Sequence, residues 1–271
     1  MRNTRYGFLV LLSSLLMLTG CSRRDILDDY PVSGVDIKLD WDGVTDQLPE
    51  GVRVIFYPKS AEGRKIDTYL SVRGGKVKVP PGRYSVVAYN YDTETVQIRG
   101  EEAYETIEAF TGYCNGLGIA GTEKMVWGPD PLYVVQINDL HIANSEEELL
   151  LDWKPKLVVK TYSFKIKVEG LEYVSSIVGS VEGMAGCYCL GRCCGMMNDA
   201  PIYFEAQGCS GEVTGSFTAF GLPEGAMSRA SLAIKFTLAF VKVDNTVQKI
   251  EVDITDVIVN SESGEGGGKD E

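Results

Sequence analysis

Alternation of apolar and polar residues sets in at residue 35 and recurs along most of the chain. Val35, Ile37, Leu39 and Trp41 fall on one side of an extended backbone, with Asp36, Lys38 and Asp40 on the other. That period of two is what a half-buried strand requires. A second strand is predicted over 52–57 and stops at Pro58, which cannot donate to a ladder. Segments 67–72 and 76–79 flank Gly74-Gly75, the predicted turn of a hairpin. Pro80-Pro81-Gly82-Arg83 makes the next turn and launches a strand over 84–90, followed by a short one over 95–99. Residues 100–130 mix acids with Gly112, Gly116, Gly118, Gly121 and Gly128, and read as a long loop carrying short strands. The β pattern resumes over 132–137.

A second block opens at 156–168, where Tyr162, Phe164, Ile166 and Val168 alternate against Ser163, Lys165 and Lys167. Further strands are predicted at 176–181, 202–205, 212–220, 232–243 and 247–254; in the last, Ile250, Val252 and Ile254 share a face. No run of helical period exceeds two turns. Short strands punctuated by turns roughly every ten residues describe an all-β sandwich chain. The pattern divides it into sandwiches over 34–150 and 151–259, joined within 145–156. Residues 260–271, rich in glycine, serine and acids, have nothing to bury and are expected to be disordered.

The first 33 residues follow different rules. Arg2 and Arg5 precede the apolar run 8–18, which is well short of the roughly 20 residues of a membrane-spanning helix. Leu18-Thr19-Gly20-Cys21 then supplies an aliphatic residue, two small ones and a cysteine. This is the arrangement at which a lipoprotein signal is cut, after the thiol takes a diacylglycerol. Residues 1–20 are expected to be a signal peptide, Cys21 the lipidated residue, and 21–33 a polar tether. Each buried CH₂ of an acyl chain contributes roughly 0.8 kcal/mol, so two or three chains anchor a protein durably without a transmembrane helix.

Charge narrows the partners. Removing residues 1–20 takes Arg2 and Arg5 and no acid, so the formal charge moves from −12 to −14. Such a surface repels nucleic acid and anionic headgroups, and neither is expected as a partner.

Six cysteines remain beyond Cys21: Cys114, Cys187, Cys189, Cys193, Cys194 and Cys209. An even number outside the cytoplasm fits structural disulfides, with free thiols or a soft metal ion as the other readings. Metal is the least favoured, because the Cys-x-x-Cys pairing of zinc ribbons is missing and His141, the single histidine, lies far off in sequence. His141 beside Asp139 reads as a surface residue, and no residue set calls for a cofactor or a catalytic role. Trp41, Trp127 and Trp153 read as packing residues, although aromatic rings can also stack on sugars.

Taken in order, several segments resemble the fimbrillin-associated anchor lipoproteins of Bacteroides-type bacteria. They are the cysteine at 21, the strand Val35-Asp36-Ile37-Lys38-Leu39-Asp40-Trp41, the segment 81–90, and Gly183-Met184-Ala185-Gly186 with the 215–221 segment Gly-Ser-Phe-Thr-Ala-Phe-Gly. The cysteine cluster at 187–194 is no part of that likeness. The resemblance implies two tandem transthyretin-like Greek-key β-sandwiches, pilin subunits as partners, and anchorage in the outer membrane through lipid, facing the cell surface, with a periplasm-facing anchor as the alternative. It further implies a non-enzymatic role in anchoring or assembling a fibre; the mechanism expected for a β-rich chain in that role is β-augmentation, an exposed sheet edge or groove accepting a strand of the adjacent pilin. The alternative class is a carbohydrate- or ligand-binding surface lipoprotein, which would show exposed tryptophans in a row.

Overall fold

The computed structural model describes residues 33–44, 47–114, 124–145, 147–197, 200–226 and 233–264. Residues 1–32, which hold the signal segment, Cys21 and all but the last position of the tether, and residues 265–271 therefore lie outside the described residues.

The first sheet grows from a meander. β2 (Gly51–Pro58), β3 (Ile66–Ser71) and β4 (Gly74–Val79) pair in succession, and β5 (Gly82–Asn90) returns to pair with β2. β1 (Ser33–Leu39) lies antiparallel to β4, and β11 (Leu149–Trp153) lies parallel to β1. β10 (Tyr133–Ile142) and the two-residue β12 (Lys156–Leu157) complete the order β11-β1-β4-β3-β2-β5-β10-β12. Nearly all of β2 and β5 is buried, because both faces of these strands are covered. Val54, Phe56, Val86 and Ala88 pack with Val35, Ile37 and Trp153 on one side. On the other side Ile55, Val87 and Tyr89 pack with Ala109, Ala185 and Tyr188.

That second cover is a four-stranded sheet, β16-β15-β7-β6, drawn from both halves of the chain. β6 (Val96–Arg99) and β7 (Glu108–Thr111) meet β15 (Ala185–Cys189) and β16 (Cys194–Met197). In exchange, β8 (Tyr113–Cys114) and β9 (Met125–Trp127) join the third sheet through β17 (Ile202–Cys209). The two halves of the sequence thus interleave, each lending strands to the other's cover.

The third sheet runs β13 (Lys160–Lys167), β18 (Glu212–Ala219), β17, β14 (Val174–Glu182), β19 (Lys235–Lys242), β20 (Val247–Asp253). It curls around Phe164, Phe204, Phe217 and Phe236, whose ring centroids lie 4.9–6.4 Å apart. Gly215 sits opposite Phe164 in the β13–β18 ladder, and a Cβ there would come within 2.7 Å of that ring. The glycine lets the aromatic lie flat over the backbone. A helix, α1 (Thr255–Gly264), follows β20.

Two local readings need correction. The first hairpin turns at Val72-Arg73, with Gly74 and Gly75 already in β4. Gly74 is required there for another reason: its φ is 94°, and a Cβ would lie 1.9 Å from the Ile37 carbonyl of β1. The absence of any longer helix is also overturned, since α1 covers ten residues and takes in part of the segment expected to bury nothing. Its Asp253-Ile254-Thr255 entry is a side-chain cap: Asp253 Oδ1 accepts from the Thr255 amide at 2.9 Å and its hydroxyl at 2.5 Å.

Candidate functional site: an open slot in the third sheet

Edges decide where a sheet can still bond, and those of the third sheet are unusual. Each of the five pairings along its path is antiparallel. After five reversals β13 and β20 run in opposite directions, so the start of β13 lies at the same end as the finish of β20. Among the described residues β13 pairs only with β18 and β20 only with β19. The curl of the sheet brings both edges to one gap.

That gap is a cavity of about 990 Å³ lined by β13 from Lys160 to Ile166, Phe217 and Phe236 at its floor, and Val252 and Ile254 opposite. A second cavity of about 430 Å³ lies further along the strands, between Val168 and Tyr173 of the β13–β14 connection on one side and Phe240, Gln248 and Ile250 of the paired strands β19 and β20 on the other. Its walls are half-dressed. Ile166 is 36% exposed, Ile250 42% and Val252 48%, and Leu157, Tyr173, Val243 and Val257 along the same slot are also exposed. Apolar side chains that point inward from an edge strand are normally covered; here Ile166, Ile250 and Val252 remain part-exposed.

One end of the slot is occupied. α1 leaves β20 and crosses toward β13, where Glu262 accepts from Lys160 Nζ at 2.5 Å and from the Tyr162 hydroxyl at 2.5 Å. Ile258 anchors the helix in the aromatic core, 5% exposed.

The residues singled out in the sequence lie elsewhere. All six described cysteines are free thiols. Cys187 and Cys189 are buried in β15, Cys194 stands opposite Cys189 in β16, and exposed Cys193 adopts a positive φ of 52° in the turn between them. Cys114 is buried under the third sheet, and exposed Cys209 ends β17. Burial pushes the thiols of Cys114 and Cys187 up, and that of Cys194 to about 11, which disfavours the thiolate a metal or a nucleophile needs. No group of three or more metal-ligating side chains occurs among the described residues.

His141 is an exposed residue of β10, and neighbouring Asp139 is paired with Arg83 and Lys59. Trp153 is buried and the Trp41 indole donates to the Val72 carbonyl at 2.6 Å, while Trp127 stands edge-on to Tyr203. They form no exposed row. The strongest electrostatic knot is Arg53, whose guanidinium binds Asp67, Glu101 and the Tyr89 hydroxyl. Its five N–H groups tie β2 to Asp67 of β3, to Tyr89 of β5 and to Glu101 in the loop after β6, leaving none for a substrate.

Sequence reasoning had singled out both walls of the slot, as the alternating faces of 162–168 and 250–254. It missed α1 and Glu262. The Asp-x-Thr ahead of a short mixed segment was the available signal for the cap.

The fold defined by these sheets is that of a β-sandwich adhesin or fimbrial anchor. The fimbrial anchor protein Mfa2 of Porphyromonas gingivalis shares it with a TM-score of 0.50 at 12% identity, over 84% of this chain and 83% of that one. A crystal structure of a "putative adhesin" from Bacteroides ovatus matches far more closely, with a TM-score of 0.79 and 61% identity over 89% of each chain. The family model described as "Domain of unknown function (DUF5119)" matches residues 20–205, and the chain belongs to that family. It is also 63% identical to "Putative fimbrium anchoring subunit Fim4B" of Bacteroides ovatus, over 98% of this chain and 85% of that protein. The resemblance to fimbrial anchors and the all-β sandwich class read from the sequence are both borne out.

Proposed function

We propose that this protein is the anchoring subunit of a fimbria-like surface fibre, non-enzymatic, and that the β13–β20 slot receives a strand from the adjacent fibre subunit. The observation that carries the reading is the meeting of both edges of one sheet at a single apolar gap. A strand laid there finds backbone donors and acceptors on two sides, and its alternate side chains cover Ile166, Ile250 and Val252. Main-chain hydrogen bonds supply affinity and the alternating pockets supply register. Because β13 and β20 run oppositely, a single strand bonded to both lies parallel to one and antiparallel to the other. The name carried by the 63%-identical relative, a fimbrium anchoring subunit, points the same way.

Lipidated Cys21 completes the reading, with residues 21–33 as the tether that passes mechanical load from the first sheet to the outer membrane. Two replacements separate these roles. Cys21→Ala is expected to shed fibres with the subunit still attached to them. Ile166→Asp together with Val252→Asp is expected to leave a folded, membrane-held subunit that has lost its fibre. Fibres retained on cells carrying the slot variant would overturn the strand-acceptor role; fibres retained with Cys21→Ala would overturn lipid anchorage.

A further inference from the structure

Resting on the strand-acceptor reading, we propose that α1 is a latch over one end of the slot, held shut by Glu262 on Lys160 and Tyr162, which an incoming strand must displace. The helix and the strand compete for the same space: Ile254, Val257, Ile258 and Ser261 line the cavity together with residues 160–166 of β13. A partner strand that pairs along all eight residues of β13 has to pass in front of Lys160 and Tyr162, where Glu262 is docked.

The latch is built to open. Of α1, Ile258 is the one side chain buried among those described, while Asp256, Val257, Asn260 and Ser261 are exposed. The far end of the helix is held by the carboxylate of Glu262, 13% exposed, on an ammonium that is 39% exposed. An ion pair open to solvent on one side is a weak bond, sensitive to salt. The hinge is firmer: the Thr255 hydroxyl oxygen accepts from the Ile234 amide at 2.8 Å, and Asp253 caps the first turn. The free end can therefore swing about a fixed root. The opposite end of the slot is bounded by residues 168–174, the segment that leads from β13 to β14, where the Tyr173 carbonyl accepts from the Val243 amide at 2.9 Å. A strand pairing along β13 meets Glu262 at the Lys160 end, so the latch is opened only by a segment long enough to reach it.

The test compares the wild-type chain, Glu262→Gln, and a chain lacking residues 260–271. The probe is an uncharged, fluorescently labelled nine-residue peptide of alternating valine and threonine. Both altered chains are expected to bind it roughly two- to fivefold faster than wild type, the factor an exposed ion pair supports. Raising salt should accelerate binding to wild type and leave Glu262→Gln unchanged. Without peptide, the amides of 160–166 should exchange faster in Glu262→Gln. Equal rates and equal salt dependence in all three chains would overturn the latch while leaving the slot intact. No binding to any of the three would overturn the strand-acceptor reading, and the latch with it.

Discussion

The first and third sheets are built from the same alternating code, yet the first is covered on both faces at its centre while the third brings its two edges to one apolar gap. In the first, β2 and β5 are covered on both faces, and the edge beyond β10 is finished by a two-residue strand. In the third, β20 is exposed at every residue, and the inward-facing Ile166 of β13 is itself exposed. Packing quality does not explain the difference, since four phenylalanine rings fill the floor of the third sheet at contact distance. The centre of this sheet is filled by aromatic rings, whereas its two edges meet at a cavity lined by part-exposed apolar side chains.

The contrast makes graded predictions. Phe56→Ala in the first sheet empties a fully buried site, and chemical denaturation should show a loss of about 3–5 kcal/mol. Gly74→Ala, which forces a side chain onto the Ile37 carbonyl at a left-handed φ, should cost on the order of 3 kcal/mol by the same measurement. Ile166→Asp or Val252→Asp in the open slot should each cost under about 1 kcal/mol, because water already reaches these side chains. A slot substitution as costly as Phe56→Ala would mean that the gap is core, and the comparison would fail.

Acid gives the finest gradation. The Arg53 guanidinium holds the Asp67 carboxyl below the usual carboxylate range. A depressed carboxyl contributes stability that is complete above the unfolded value of about 3.9 and is lost as pH falls through the lower folded value. The stability gap between wild type and Asp67→Asn should therefore be full at pH 6 and shrink below about pH 4. A gap constant down to pH 2 would show that the knot contributes through packing alone.

Much of the first sheet was legible in advance. β1 to β5 fall within two residues of the predicted segments: in β1, β3 and β4 polar positions mark the period, while β2 and β5, buried on both faces, are delimited by Pro58 and by the turn at 80–83. β15 was invisible for the converse reason: all five of its residues are buried, so Ala185 to Cys189 carry no alternation. β11 runs Leu-Leu-Leu-Asp-Trp and is as ambiguous, and β7 with four residues is too short to show a period. The cysteines drew attention because they cluster along the chain, but the fold spreads their thiols onto separate neighbours, from the Met196 carbonyl to the Glu224 carboxylate.

By itself the sequence determined the all-β class, the family likeness and the two amphipathic faces at 162–168 and 250–254. It could do so because strand period is a local property, written in neighbouring residues. That those faces look at each other across one gap, and that Glu262 reaches back about a hundred positions to Lys160, was decided only when the sheet curled. Such pairings depend on the number of reversals between two edges and on aromatic rings drawn from four strands. Neither quantity is carried by any short stretch of the chain.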